Sequence, residues 1–574
     1  MDNNITASGA LNGTLDAHNA TISASQETVW SLLQDFSFLA LEAQLVLGAL
    51  GIIYVGAHAS LHRPPSAAAP TRQKGTKKND DHGDHRDDER ITQGLELSDA
   101  IMFPVMAGIM LVGLYYLIQY LQDPEILNKV LRWYISTMSI VSLFSLYAHG
   151  MGLVVGFIFP RYWRGRDGVL RKANQATRQV SLCDDVGNVS HPGKDGDSPL
   201  PGVLSCLPLG KRAGKAAWDA RELVMRQWLF KFYVHGMGDE KAKIKLTHMI
   251  AFFASIATAL IYSSTSSSFL SNVLGYGLCY GSFLVLSPTD LLIGSLVLSG
   301  LFVYDIVMVF YTPYMVTVAT TLDVPIKLTF KAASRQSILG LGDIVLPGLL
   351  MAWALRLDLW LHYQRKVKYE PTELQIREKD DSGTVVIRKE MKHREIKPPY
   401  VTAQGAWGER FWTGVFGRKP MPAEISASKF PKTYFYATVI GYALGMAATL
   451  SMLLVFKRGQ PALLYLVPGV LGSLYVTAFA RGEMKLIWGY TEDGSIDTKD
   501  VVVEVDADGR ATKRIGEMKD GVVDTTKDDK KKKDEREEEA KKKDDEAKRI
   551  KDAKMKESHK VFNISLETMP VAPG

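Results

Sequence analysis

Two aspartates stand where a chain can least afford charge. Asp305 lies in Leu301-Phe-Val-Tyr304-Asp305-Ile-Val-Met308 and Asp343 in Leu339-Gly340-Leu341-Gly342-Asp343-Ile344, each inside a long apolar run. An ionisable group at membrane depth costs a few kcal/mol on insertion scales, so each asks for a reason. Two carboxyls a few Å apart in a low dielectric resist double ionisation and share one proton. The ionised member then activates a water for attack on a peptide carbonyl, and the protonated member serves the developing oxyanion. Neither metal nor nucleophilic side chain nor cofactor is needed. An ion-coordinating pair in a transporter, or two hydrogen-bonded packing groups, would use the same residues.

These carboxyls must be brought together by helices, and the chain supplies them. A window of about 19 residues finds nine apolar stretches near 38–59, 100–121, 133–159, 247–264, 269–288, 291–312, 337–359, 434–456 and 462–480. The fold class is therefore all-α polytopic membrane protein with nine transmembrane helices. Antiparallel neighbours six and seven place Asp305 and Asp343 at matching depth, about 9–11 Å from one membrane edge at ~1.5 Å per residue. Gly340 and Gly342 lack a Cβ and permit close backbone approach, where an extended substrate strand docks. Tyr304 either sets its phenol near the neighbouring carboxyl or packs at a helix interface. Gln460-Pro461-Ala462-Leu463 opens the last stretch, and proline at a helix start is ordinary.

The mean hydropathy of −0.02, with 46% hydrophobic and 23% charged residues, looks like that of a soluble protein. It is an average of two populations, since the nine stretches hold five charged residues: Glu42, Asp305, Asp343, Arg356 and Asp358. Glu42 is expected to reach the interface, and Arg356 and Asp358 to snorkel or pair with each other. His149 reads as a neutral packing residue. Three cysteines without CxxC or Cys/His spacing exclude a disulfide framework and suggest no zinc site. His82 and His85 among aspartates read as a solvated charge run rather than a metal site.

Orientation follows from the bases. With a luminal N-terminus and a cytosolic C-terminus, 60 of the 68 Lys and Arg fall in cytosolic segments. Sequons at Asn4, Asn12 and Asn19 agree, because glycosylation there requires luminal exposure. No cleavable signal peptide is read in residues 1–30, so the first span is expected to act as its own insertion signal. The division expected is a luminal arm (1–37), helices 1–3 with a cytosolic linker at 60–99 (38–159), a cytosolic loop (160–246), helices 4–7 as the core (247–361), a cytosolic insertion (362–433), helices 8–9 (434–480) and a charged tail (481–574). Within the loop, Trp218 to Tyr233, including Leu223, Arg226, Trp228, Lys231 and Phe232, reads as an amphipathic surface helix that meets lipid phosphate. The insertion carries β-like runs such as 384–387. Residues 528–560 read as a solvated helix or disordered tail whose balanced charges argue against nucleic acid.

Taken together, Tyr-Asp in one span, Gly-Leu-Gly-Asp in the next and Gln-Pro-Ala-Leu opening the last resemble the GxGD intramembrane aspartyl proteases, the presenilin-related group that includes signal peptide peptidase. The likeness covers residues 247–361 and 434–490 and includes Met315 to Ala319, Pro325 to Leu328, Leu341 to Pro347 and Gln460 to Pro468. The resemblance implies cleavage within the bilayer of remnant signal peptides and other type II or tail-anchored helices. It maps the family's catalytic pair onto Asp305 and Asp343 and its substrate-gating Pro-Ala-Leu onto Pro461, Ala462 and Leu463, with Tyr304, Gly340, Leu341, Gly342 and Gln460 beside the substrate. It implies a multi-pass protein of the endoplasmic reticulum membrane, or of a later compartment, with membrane lipids around it and room for a homo-oligomer. The orientation read from the bases is that of signal peptide peptidase and the reverse of presenilin's. The long 365–430 insertion is unlike the family's compact loop.

Overall fold

A computed structural model describes residues 36–68, 93–121, 124–165, 167–191, 198–201, 211–234, 238–322, 324–332, 335–379, 385–414, 420–456, 460–497, 501–505, 511–519, 522–524 and 562–568. The sequons at Asn4, Asn12 and Asn19, the pair His82/His85 and the charged run 528–560 lie outside them.

Among the described residues nine helices are long and apolar enough to cross a membrane. They are α1 (Phe36–Ala59), α2 (Leu97–Leu121), α3 (Pro124–Ile158), α4 (Leu246–Thr265), α5 (Ser268–Val285), α6 (Leu291–Phe310), α7 (Leu341–Gln364), α8 (Thr433–Phe456) and α9 (Leu463–Ala480). Three boundaries differ from the apolar stretches by more than three residues, one of them the end of helix α7, at Gln364 rather than 359. Helix α3 begins nine residues before residue 133, because Lys129 and Arg132 extend the helix beyond the apolar run. Helix α7 begins at Leu341, because residues 337–340 belong to a strand.

Helix α7 is the axis of the bundle. It is apolar on every side, and the whole stretch from Pro347 to Leu361 is buried, the pattern of a helix enclosed by others rather than facing lipid. Around it pack α1, α5, α8 and α9. Helices α2, α3 and α4 stand outside this ring and leave large apolar side chains such as Ile101, Val141 and Phe253 exposed, as a lipid-facing surface requires.

The three remaining membrane charges are buried, and none behaves as expected. Arg356 does not pair with Asp358. Its Nε donates to Glu492 Oε1 at 2.7 Å, Nη1 to Ser60 Oγ at 2.8 Å and Nη2 to Ser287 Oγ at 2.5 Å. Asp358 accepts from the backbone N–H groups of Tyr434 (3.2 Å) and Phe435 (2.9 Å), which are orphan donors in the first turn of α8. Glu42 is 6% exposed and turned inward, its Oε2 buried without a hydrogen-bond partner. None of the three snorkels: all are enclosed among helices, where Arg356 and Asp358 find the partners that a lipid-facing charge would lack. His149 bonds the Tyr280 hydroxyl, as a packing residue does.

The Arg356–Glu492 pair fastens the segment after α9 to the helix ends. Burial works against an ionised Glu492, yet the Arg356 guanidinium, His62 and the Ser287 hydroxyl hold its carboxyl below the usual glutamate range. A carboxyl depressed on folding adds stability above its unfolded pKa of 4.5 and loses it as pH falls below that value. The thermal midpoint of the protein is therefore expected to drop on acidification below about pH 4.5. Glu492→Gln is expected to flatten that dependence and, by stranding a buried guanidinium, to destabilise at pH 7 by about 3–5 kcal/mol. A wild-type midpoint indifferent to acid, or an unaffected variant, would contradict this account.

Outside the spans the chain carries strands. The hairpin Lys327–Ala332/Arg335–Gly340 runs directly into α7, with Gly340 paired to Lys327. Tyr162–Arg164, Leu170–Asn174, Gln179–Cys183 and Val189–His191 form one sheet. The amphipathic helix expected over 218–233 forms only in its first half. A helix Lys211–Met225 covers Trp218 to Met225, and Gln227–Val234 is a strand between Gly238–Lys245 and Phe562–Thr568. Its sequence, QWLFKFYV, alternates β-favouring aromatic and aliphatic residues that suit a pleat with partners on both edges. In the insertion, Lys368–Lys379 and Val385–Ile396 pair along their full length, and Val501–Val505, Ala511–Lys519 and Val522–Asp524 from the tail close them into a small barrel.

Candidate functional site

Helix α6 is capped by Asp290, whose Oδ1 accepts the Ile293 N–H at 2.9 Å. Its buried stripe runs through Leu291, Gly294, Val297, Leu298 and Leu301 to Asp305, spaced three and four apart. Asp305 thus closes the inward face of α6 and is 5% exposed. Tyr304, one position earlier and about 100° round the helix, faces α2, where its hydroxyl donates to the Ala107 carbonyl at 3.4 Å. Its phenol stands at a helix interface.

Asp343 sits in the first turn of α7. Gly340 is the N-cap, so Asp343 occupies the third helical position, the place of the acidic residue in a capping box. A Cβ on Gly340 would lie 3.1 Å from Asp343 Oδ2, so glycine leaves that carboxylate room. Leu341 is buried and donates its N–H to the Ile326 carbonyl at 3.0 Å, tying the head of α7 to the residue just before the hairpin's other strand. Gly342 is exposed, with nothing nearer than 4.0 Å to an added Cβ. The backbone carbonyl of Asp343 accepts from the Tyr442 hydroxyl of α8 at 3.3 Å. Asp343 lies close enough to Asp305 to feel its charge.

The third cluster meets the first directly. Leu463 is the first residue of α9, and its backbone N–H, an orphan donor at a helix start, donates to Asp305 Oδ2 at 3.1 Å. A carboxylate on α6 thus does for α9 what an N-cap side chain normally does. Ala462 occupies the cap position, Pro461 is buried and Gln460 half-buried before it. What places these residues is the α8–α9 crossing, where the backbones touch. A Cβ on Gly441 would lie 2.2 Å from the Gly469 carbonyl oxygen, and one on Gly445 2.9 Å from that of Tyr465. Such contact is the use of small residues four apart in membrane helices. Sequence reading passed over this pair, although Gly441-Tyr-Ala-Leu-Gly445 carries the signal in plain form. Tyr442, between them, was hidden as one more aromatic residue in an apolar run.

Among the described residues no group of three His, Cys, Asp or Glu gathers as a metal site. The site is thus two carboxyls on facing helix segments, a strand ending beside one of them and a helix start bonded to the other.

The family model described as signal peptide peptidase matches residues 87–494. The chain belongs to the signal peptide peptidase family. That family of intramembrane aspartic endopeptidases is matched from just before α2 to just after Glu492, across Asp305, Asp343 and Pro461 to Leu463. A probable intramembrane protease of Schizosaccharomyces pombe is 33% identical over 251 residues, which cover 43% of this chain and 65% of that protein. A probable intramembrane protease of Saccharomyces cerevisiae is 25% identical over 514 residues, covering 80% and 75%. The signal peptide peptidase of Mus musculus is 24% identical over 432 residues, covering 72% and 78%. No solved structure matches the chain. Like other members of its family, this signal peptide peptidase homologue is a multi-pass membrane protease.

Proposed function

We propose that the chain hydrolyses peptide bonds inside remnant signal peptides and other type II or tail-anchored membrane segments, with Asp305 and Asp343 as the catalytic pair. The observation that carries this reading is the site itself: in a protein of this family, two carboxyls within electrostatic reach, one at a helix head beside a strand, the other bonded to the start of the Pro-Ala-Leu helix. One ionised aspartate takes a proton from water, the water oxygen attacks the scissile carbonyl, and the protonated partner donates to the oxyanion. The first aspartate then passes the proton taken from water to the amide nitrogen while its partner takes one back from the gem-diol; the C–N bond breaks, the two fragments leave and the pair returns to its starting protonation. A substrate helix has its amides engaged and must first be unwound. The strand Arg335–Gly340 offers backbone groups on which an extended segment is received, past the open Gly342 and towards Pro461 to Leu463.

The same reading places the protein in the endoplasmic reticulum membrane with the N-terminus luminal, its sequons at Asn4, Asn12 and Asn19 glycosylated. It is tested by incubating detergent-purified protein with a signal-peptide substrate beside the Asp343→Ala variant. Cleavage by the wild type and none by the variant, with substrate binding retained, is expected. Equal cleavage by both would overturn the assignment of the pair.

A further inference from the structure

An asparagine in a membrane-spanning helix has a carboxamide to satisfy, and Asn272 of α5 satisfies both ends of it on a single residue. Its Nδ2 donates to the Thr329 carbonyl at 2.8 Å, and its Oδ1 accepts the Thr329 N–H at 2.8 Å. Asn272 is 9% exposed. One turn further along α5, a Cβ on Gly275 would lie 3.1 Å from Leu328 Cδ2 and 3.2 Å from Leu341 Cδ2. One face of α5 thus seats the strand Lys327–Ala332 close to the head of α7: the asparagine bonds its backbone and the glycine admits its side chain. Polar side chains and small residues serve membrane helices in this way.

The clasp on Thr329 decides which edge of the hairpin is open. In an antiparallel ladder, hydrogen-bonded pairs alternate with pairs whose N–H and C=O groups point outwards. The Leu341 N–H bonds the Ile326 carbonyl one step beyond the pair Gly340–Lys327. Leu328–Leu339 and Phe330–Ser337 are therefore the hydrogen-bonded pairs, and Lys327–Gly340 and Thr329–Ile338 are not. Thr329 faces outwards between Lys327 and Lys331, and there the carboxamide stands in for one residue of a neighbouring strand. With that middle position taken, a further strand finds no continuous ladder along this edge. On the opposite edge Ile338 directs its N–H and C=O away from the hairpin, and the residue is 50% exposed.

We propose that Asn272 is a positioning residue for proteolysis: by closing the outer edge of Lys327–Ala332 it leaves a substrate strand the edge of Arg335–Gly340, which runs on to Asp343, and so fixes which peptide bond reaches the aspartates. The proposal rests on the reading of Arg335–Gly340 as the receiving strand. Without the clasp both edges are open and the hairpin is free to shift against α5, so a bound segment is presented in more than one register. Full-length protein in detergent is to be given a signal-peptide substrate, with kcat/KM measured and the products identified by mass spectrometry. Asn272→Leu, of similar size but without hydrogen-bonding groups, is expected to lower kcat/KM about tenfold or more and to spread at least about a third of the product over bonds one or two residues from the wild-type position. Asn272→Ser, too short to span both Thr329 groups, is expected to scatter cleavage likewise and provides the measurement if the leucine variant does not fold. A loss of folded protein lowers the rate and leaves the cleavage position where it was. Ile338→Pro tests the receiving strand itself, since it removes an outward N–H and no bond within the hairpin; a loss of at least about tenfold in kcat/KM is expected. Product confined to the wild-type position in the Asn272 variants, with Ile338→Pro impaired, would overturn the role of Asn272 alone. Wild-type cleavage by Ile338→Pro would overturn the receiving strand and the proposal with it.

Discussion

Replacing Asp305 by asparagine is expected to lower kcat/KM for a signal-peptide substrate by at least about 10³-fold, with the fold left intact. The amide cannot take a proton from water at neutral pH, which removes the base or acid role whichever of the two Asp305 holds. It keeps a carbonyl oxygen where Oδ2 now accepts the Leu463 N–H at 3.1 Å, so the head of α9 stays satisfied. Asp305→Ala is expected to be equally inactive and to do something more. It leaves the first N–H of α9 without its acceptor in a buried place, at a cost of about 1–3 kcal/mol. Hydrogen exchange at residues 463–466 separates the two variants: near wild type in the first, faster in the second. Activity of Asp305→Asn within tenfold of wild type would remove Asp305 from the chemistry. Slow exchange in Asp305→Ala would remove it from the support of α9.

That double use of one carboxylate explains what a linear reading sees and what it misses. The nine spans were legible because length and apolarity alone decide them, and the bundle contains nothing that contradicts this. Asp305 was legible because a charge in an apolar run asks for a reason, although an ion site or a packing group would look the same in the sequence. Its bond to Leu463, 158 residues away, was not, since a backbone N–H carries no mark in the sequence. The same holds for Arg356 and Glu492, 136 residues apart: the arginine looked as though it must snorkel or pair with Asp358, because its partner lies beyond the last span. The head of α7 was misread for another reason. Ile338 and Leu339 prolong the apolar run of the helix, but the chain pairs them with Leu328 and Thr329, and tertiary pairing overrides a hydropathy window. Strands in the insertion were visible as β-like runs, whereas the closure of that hairpin by residues 501–524 depends on register that no local pattern encodes.

The glycines of the α8–α9 crossing carry the second large effect. Gly441→Ala is expected to lower the thermal midpoint and to reduce cleavage by about 10–100-fold, although Gly441 touches neither aspartate. An added methyl would stand 2.2 Å from the Gly469 carbonyl oxygen and 2.4 Å from Ser473 Oγ. The serine can rotate away, but the carbonyl belongs to a helix backbone, so α9 must move by about 1 Å to restore ordinary contact, at a cost of about 1–3 kcal/mol. Leu463 lies six residues before Gly469, roughly 9 Å along the same rigid helix. Displacement there is transmitted to the bond with Asp305, and a misplacement of about 1 Å near reacting groups is worth up to about 10²-fold in rate. Gly472→Ala is the matched control, on the same helix with nothing within 4 Å of an added Cβ. It is expected to be neutral or slightly stabilising, since alanine favours helix over glycine by up to about 1 kcal/mol. The pair separates a general intolerance of α9 to substitution from a specific demand for backbone contact. If Gly441→Ala retains full activity while Gly472→Ala does not, the crossing does not set the position of the Pro-Ala-Leu segment, and Asp305 alone must hold it.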